Sequence, residues 1–493
     1  MPDKSPCASD EDVKEMQHEN HYSHTNKDQA FNQDVRNRVH PKIDHNRTKM
    51  KSIGDKTFTF QDSVLTTLYR IPHVNTMYNM FLAAFILMTG TTALHSYVTK
   101  GIINFGQVTI NRGMRGFWRG AGMWTIMQAA VVLAYLGLKF WGSVRLALSK
   151  NPTFRQVWDS ICLWAFALFQ ISFMVAVING VIQMDLACIS AGSILIEMIR
   201  MIMKMYAFIR TNAVRILNGE LKIDSSTKSS KEHRYPSLGQ FTYYMFAPTF
   251  IYRDNYPRTS KINLNFALCR LLEVVGVTFF LANIHERFIE PNFQNFGKER
   301  ITPGDLILKI FSMDLPALLI CLGVFYCILH SWLNFTAELL RFPDRIYYKD
   351  WWTSHNYSGY YRNWNLVVHE WLYEYIYKDA LHYVFPGSKV AANFTVFVVS
   401  AVMHELICSV AFGFFFPVMF VLFAGFGVFF MFISKSMNRT VGNIFLWCTL
   451  AFGNGLMVSL YAMEIFARIN CVADKDSSFS FWVPVVFSCN GLS

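Results

Sequence analysis

Long apolar runs separated by polar stretches make up most of the chain after about residue 60. A bilayer core about 30 Å thick is crossed by a helix of about 20 residues, and nine apolar runs reach or approach this length. They cover residues 78–98, 121–142, 159–182, 186–208, 263–286, 306–334, 390–412, 417–434 and 443–466. The pattern predicts an all-α polytopic membrane protein with about nine membrane-spanning helices.

The composition agrees with this fold class and excludes nucleic acid as a partner. Of 493 residues, 53% are hydrophobic and only 16% are charged, which is too apolar for a soluble enzyme of this length. The formal net charge is +11, but the Lys and Arg residues lie mostly between the apolar runs. Positive charge in the loops of a membrane protein sets its orientation, which explains the excess without a nucleic acid.

The charge distribution also predicts which side each terminus occupies. An odd number of spans places the termini on opposite sides, and cytosolic loops carry more Lys and Arg. The 209–262 loop holds nine basic residues, whereas the tail after residue 467 holds only Arg468 and Lys475. We therefore expect a cytosolic N-terminus and a lumenal C-terminus, although four basic residues between the first two spans oppose this orientation.

Two further segments flank the membrane domain. Residues 1–60 are polar and contain no apolar run, so they are expected to form a disordered cytosolic tail that precedes one catalytic membrane domain at 61–493. Residues 468–493 would be its lumenal tail. There Cys471 and Cys489 can pair in an oxidising compartment, and the bridge would contribute about 3 kcal/mol in the chain-entropy picture.

His404 is the first candidate catalytic residue. It interrupts an apolar run in the stretch SAVMHEL, beside Glu405. A buried imidazole at membrane depth is costly without a partner or a task, so it is a functional candidate by default. The alternative is a structural histidine. Ser400, one turn earlier, is a candidate for a hydrogen bond within the substrate site, and its alternative is a bond to its own helix.

The second candidate region is a polar and aromatic stretch, YRNWNLVVHEWLYEYIYKD, at residues 361–379. Asn365, His369, Tyr373 and Tyr377 are spaced four apart, which predicts a row along one helix face. The alternative is a helix at the membrane interface, with Trp and Tyr at headgroup level. Asn365 favours a reaction site, because a carboxamide can donate two hydrogen bonds to an oxygen.

These stretches resemble the membrane-bound O-acyltransferase superfamily, and within it the sterol O-acyltransferase branch. YYKDWWT at 347–353 is similar to the FYxDWWN signature, and SAVMHEL is similar to the segment that holds the family's active-site histidine. FAPTFIYRDNYPRT at 246–259 and NFTAELLRFPDR before the signature also match. The resemblance runs from about residue 241 to the C-terminus. Thr353 departs from the signature, which has Asn there. The departure implies either a different acyl preference or a position that tolerates any small polar group.

The resemblance implies a fold in which spans and short amphipathic helices enclose an intramembrane reaction chamber. It implies transfer of a long-chain acyl group from acyl-CoA to a sterol hydroxyl, without a metal or another cofactor. It also implies an endoplasmic reticulum membrane location, a homodimer or homotetramer, and a lumenal disulfide between Cys471 and Cys489. The alternatives are transfer to diacylglycerol and a lipid transporter that is not an enzyme.

The resemblance further implies a role for each candidate residue. His404 would be the general base and Asn365 the donor to the oxyanion, with Trp364 as a wall of the site. The positions that resemble contacts to CoA are Arg362, His369, Tyr373, Tyr377 and Lys389. For Lys389, binding of a lipid headgroup is an equal alternative.

Overall fold

The computed structural model describes residues 56–219, 221–222, 233–471 and 481–489. Of the expected N-terminal tail, residues 1–55 lie outside the described residues. Within the described ranges the chain is almost entirely helical, and a parallel pair of two-residue strands, Leu221–Lys222 and His233–Arg234, interrupts it. The prediction of an all-α polytopic membrane protein is confirmed.

Seven helices are long and apolar enough to cross a membrane. Each coincides with one of the predicted apolar runs, and most extend beyond it by several residues at one end or both. They are Pro72–Lys100, Phe117–Lys150, Pro152–Gln183, Leu264–Phe293, Pro303–Leu339, Lys389–Phe412 and Arg439–Asn470.

The other two predicted runs are also helical but differ in character. Cys188–Leu217 has 30 residues and is amphipathic, with Glu197, Arg200 and Lys204 on neighbouring turns. Val418–Ser434 is apolar but shorter than the seven spans. All nine runs are therefore helices, and seven satisfy the length and composition of a span.

Several long helices contain a wider π turn, which inserts an extra residue and rotates the side chains that follow. Shorter helices connect the spans. The π segments are His285–Ile289, Tyr326–Trp332, Leu372–Tyr377, Ala380–Val384 and Val421–Phe426. The shorter helices include Val64–Leu68, Gln107–Gly113, Leu238–Phe246, Tyr357–Trp364 and Leu366–Trp371, and 3₁₀ turns lie at Leu148–Lys150, Trp351–Thr353 and Val485–Phe487.

A fully buried lysine joins two of these elements. The Lys204 ammonium donates to the carbonyl oxygens of Tyr244 and Ala247, each at 2.6 Å. These carbonyls lie at the end of the helix Leu238–Phe246, where intrahelical donors run out. The buried Nζ therefore has partners, and it fixes this short helix to Cys188–Leu217.

The chain before the first span lies against the loop that follows the helix Pro303–Leu339. We call residues 56–63 the N-terminal strap and residues 343–353 the signature loop. The Gln61 N–H donates to the Pro343 carbonyl at 3.0 Å, and the Arg345 N–H donates to the Gln61 carbonyl at 2.9 Å. Residues 56–60, which composition assigns to the tail, are thus part of the folded domain.

At the other end, Cys471 and Cys489 form the predicted disulfide. Gly297, at φ +88°, lies against it, and a Cβ there would come within 2.6 Å of both sulfur atoms. The buried Glu464 carboxylate accepts the N–H groups of Val485 and Val486 at 2.9 and 2.8 Å. The described part of the C-terminal tail is therefore attached to the last long helix.

Candidate active site

His404 lies in the middle of the helix Lys389–Phe412, which we call the histidine helix, and its side chain is exposed. Its Nδ1 lies 2.7 Å from the Ser400 carbonyl oxygen. A carbonyl oxygen only accepts, so Nδ1 carries the hydrogen, and in the neutral ring the free lone pair is therefore on Nε2. The Ser400 main chain makes this contact, so the side chain of Ser400 is not required for it.

An aromatic ring holds the imidazole from one side. Phe423 stacks on His404, with ring centroids 5.5 Å apart and an interplanar angle of 27°. Phe423 in turn contacts Tyr361 at 5.3 Å and Phe397 at 6.0 Å. Since Tyr361 belongs to the helix that ends just before Asn365, this cluster connects the two candidate regions.

Glu405 anchors the segment that carries Phe423. Its carboxylate is buried and accepts the Phe420 N–H at 3.0 Å and the Ser409 hydroxyl at 3.2 Å. Phe420 lies in the first turn of Val418–Ser434, whose N–H groups lack intrahelical partners. Glu405 therefore caps this helix and sets where Phe423 lies over the imidazole.

Asn365 does not lie within a helix, which corrects the predicted four-residue row. Its backbone is extended, with φ −142°, and it separates Tyr357–Trp364 from Leu366–Trp371. Its Oδ1 accepts the Val368 N–H at 3.1 Å and so caps the second helix, a role that Asn strongly favours. Among the described residues its amide NH₂ group has no partner, so both N–H bonds are available.

We call the break between these two helices, at Asn365, the junction. The signature loop holds the junction through backbone hydrogen bonds. The Lys349 N–H donates to the Asn363 carbonyl at 2.9 Å, and the Leu366 N–H donates to the Tyr347 carbonyl at 2.8 Å. These two bonds lie on either side of Asn365. Tyr347 is almost completely buried, at 1% exposure, so the loop is a fixed support for the junction.

Trp364, the residue before Asn365, packs in an aromatic cluster under the junction. Its ring lies 4.6 Å from Trp351 and 4.8 Å from Phe325 between centroids. Trp351 belongs to the signature loop, and Phe325 precedes the π turn in the fifth of the seven spans, Pro303–Leu339. Trp364 thus packs beneath Asn365, and its role as a wall of the reaction site stays a prediction.

Three basic side chains lie together beside the junction. Arg362 is exposed, and His369 is partly buried in the helix that Asn365 begins. Burial, and then the positive charges of Arg362 and Lys349, lower the pKa of His369 below its ordinary value. His369 is therefore neutral at neutral pH, and the two cations supply the positive charge.

The remaining members of the row turn toward the histidine helix. Tyr373 and Tyr377 stack at 5.2 Å with an interplanar angle of 15°, and they pack with Ala392. The π turn Leu372–Tyr377 rotates this part of the helix relative to His369. Lys389 is the first residue of the histidine helix and is exposed.

Thr353 is exposed and closes a turn. Its hydroxyl lies 2.8 Å from the Asp350 carbonyl and 3.0 Å from the Asp350 carboxylate. A small polar side chain is enough for this contact. The geometry thus favours tolerance at this position over a role in selecting the acyl chain.

Sequence reasoning missed Phe423, Tyr361 and the anchoring role of Glu405. One Phe among 45 in the chain carries no local signal, and the contact of Phe423 to His404 depends on how two helices pack. For Glu405 a signal existed, because a carboxylate in an apolar helix requires donors. Sequence reasoning also missed the contacts of the strap, because its partners lie far away along the chain.

Comparison with known proteins agrees with the family resemblance of the sequence motifs. The model of the membrane-bound O-acyltransferase family matches residues 168–463. Sterol O-acyltransferase 1 of Mus musculus is 35% identical over 439 residues, which cover 88% of this chain and 79% of that protein. Sterol O-acyltransferase 2 of Homo sapiens is 31% identical over 457 residues, 90% of this chain and 82% of that protein. The similarity is wider than the stretch from residue 241 that its motifs indicate.

Proposed function

Because the chain belongs to the membrane-bound O-acyltransferase family, we propose that it transfers a long-chain acyl group from acyl-CoA to the 3-hydroxyl of a sterol. The products are a steryl ester and CoA. The names of the relatives, which are sterol O-acyltransferases, support the acceptor. The catalytic unit proposed is residues 61–493, extended by the strap.

The observation that carries this proposal is the tautomer of His404. With Nδ1–H directed to the Ser400 carbonyl, Nε2 is the free base on an exposed ring. An alcohol is a poor nucleophile at neutral pH, and a positioned base contributes about 10²- to 10⁴-fold to its attack. Nε2 takes the sterol proton as the sterol oxygen bonds to the thioester carbon. The C–S bond then breaks, and the imidazolium returns the proton to the CoA sulfur.

Asn365 stabilises the charge that develops on the carbonyl oxygen. Its Oδ1 is engaged by the Val368 N–H, which fixes the amide plane and leaves the NH₂ group to donate. A preorganised donor of this kind contributes on the order of 3 kcal/mol to the transition state. No metal or other cofactor takes part in this reaction.

The CoA moiety binds beside the junction. Arg362 supplies charge to its phosphates, and His369, Tyr373 and Tyr377 supply hydrogen bonds and aromatic surface. Lys389 extends the positive surface at the start of the histidine helix, where it meets either a phosphate of CoA or a lipid headgroup. The acyl chain lies between the spans.

We place the protein in the endoplasmic reticulum membrane with a cytosolic N-terminus and a lumenal C-terminus. The basic 209–262 loop supports this orientation, and so does the disulfide in the C-terminal tail. The active assembly is a homodimer or homotetramer. Mass measurement of the detergent-solubilised protein tests this, because a monomer that retains full activity contradicts it.

The proposal is tested by incubating membranes that contain the protein with labelled acyl-CoA and either a sterol or diacylglycerol. Steryl ester formed by the wild type and lost in His404→Ala, at equal protein abundance, is the expected result. Triacylglycerol without steryl ester would assign the acceptor to diacylglycerol. Ester formation that is unchanged in His404→Ala would move the catalytic role to another residue.

A further inference from the structure

The N-terminal strap contacts the signature loop along its length. Gln61 pairs through its main chain with Pro343 and Arg345, at 3.0 and 2.9 Å. The Asp344 carboxylate between them accepts the main-chain N–H of Thr59. The strap therefore forms an extra strand-like layer on the loop, and the loop is held between the strap and the Asn365 junction.

Lys56 extends this contact to the helix that Asn365 begins. Its ammonium lies 2.9 and 2.7 Å from the two carboxylate oxygens of Glu370 and 3.9 Å from the Asp344 carboxylate. The Lys56 and Glu370 side chains are 21% and 18% exposed, so water screens this pair only in part. One ammonium thus joins the signature loop to the helix Leu366–Trp371.

The two carboxylates would repel each other without this cation. Burial raises the pKa of both Asp344 and Glu370, and the Lys56 ammonium opposes that rise in each case. Removing Lys56 leaves two partly buried like charges on the loop and on the helix, which favours their separation. The hydrogen bond from the Leu366 N–H to the Tyr347 carbonyl also joins the signature loop to this helix, and it lies next to Asn365.

We propose that Lys56 is a positioning residue for the acyl transfer, acting through Glu370 and the signature loop to hold the amide of Asn365 in its catalytic place. The inference rests on the proposed function of Asn365. It makes the strap part of the active site's support, although the strap precedes the first span. A misplacement of about 1 Å in a catalytic group can cost on the order of 10²-fold in rate.

The test uses the full-length protein with Lys56→Met, which removes the charge and keeps the length of the side chain. We expect kcat to fall about 10-fold or more, with KM for acyl-CoA changed less than about twofold, since a displaced oxyanion donor affects the transition state most. Lys56→Arg should retain most of the activity. The matched control is Arg70→Met, because Arg70 also pairs with a strap residue, Asp62, at 2.9 Å, but both side chains are exposed and such a surface pair contributes little.

Two further measurements keep the result specific. Glu370→Gln should reproduce the loss, and the double variant with Lys56→Met should lose little more than either single variant, as expected for one coupled pair. Hydrogen exchange of peptides that cover residues 343–371 should be faster in Lys56→Met and unchanged in Arg70→Met. This second readout does not depend on activity.

A wild-type kcat in Lys56→Met, or an equal loss in Arg70→Met, would overturn the inference. Unchanged exchange at residues 343–371 would overturn it as well. If the wild type forms no steryl ester, the proposed function fails, and the exchange measurement still decides whether Lys56 holds the loop. The two failures are therefore distinguishable.

Discussion

Replacing Asn365 with aspartate separates the two tasks of this side chain. The carboxylate of Asp keeps the acceptor that caps Leu366–Trp371 through the Val368 N–H, because Asp and Asn are about equal as N-caps. It removes the NH₂ group, which is the proposed donor to the oxyanion. The substitution should therefore leave the fold intact and impair only the chemistry.

The expected magnitudes follow from these contacts. Loss of one oxyanion donor costs about 10²- to 10³-fold in kcat, or about 3 to 4 kcal/mol, and the new negative charge beside the developing oxyanion adds to this loss. Asn365→Ala loses the donor and also the cap, which is worth about 1 kcal/mol of stability. The alanine variant should thus be both inactive and less stable, whereas the aspartate variant should be inactive at wild-type stability.

The assay measures kcat and KM with labelled acyl-CoA and sterol, together with the thermal midpoint in detergent. The matched control is Asn438→Asp, because Asn438 caps another helix in the same way, through the Val441 N–H at 2.9 Å, and is far along the chain from the junction. This control should retain wild-type kcat. An Asn365→Asp variant with wild-type kcat would refute the oxyanion role, and a raised KM with normal kcat would assign Asn365 to binding of the substrate.

Three further predictions follow from the site. His404→Gln keeps approximate size but cannot take a full proton, so it should fold and lose ester synthesis; a Gln variant that keeps most of the wild-type rate would make His369 the candidate base. Phe423→Leu should lower kcat about 2- to 10-fold, the worth of one aromatic contact, and an unchanged kcat would show that the stacking is not needed. Peptide mapping without reductant should recover Cys471 and Cys489 as one cross-linked species, and two freely alkylated thiols would contradict the bridge.

Elements that depend on local composition were predicted well. An apolar run long enough to span a bilayer must satisfy its backbone hydrogen bonds within itself, which requires a helix. All nine predicted runs are helical. The charged residues of Cys188–Leu217 show in the sequence that this helix is amphipathic. The sequence does not show which other helices its buried face packs against. The disulfide was predictable because the tail after residue 467 contains two cysteines, Cys471 and Cys489, and the family resemblance implies a bridge between them.

Features that depend on packing were not predictable in the same way. The spacing of Asn365 and His369 is compatible with a continuous helix, and only the preference of Asn for caps argued for a break. The stack of Phe423 on His404 requires two helices to meet at one depth, which no local pattern encodes. The contact of Lys56 with Glu370 joins residues 314 positions apart, so neither residue carries a sign of it.

This separation along the chain has a consequence for how the protein is made. The strap is synthesised before its partner Glu370, which follows Lys56 by 314 residues. At synthesis rates of about 5 to 20 residues per second, the strap waits about 15 to 60 s before it can dock. Completion of the junction at Asn365 is thus a late event of biogenesis, since five of the seven spans precede Leu366–Trp371 in the chain and are made before the strap can dock.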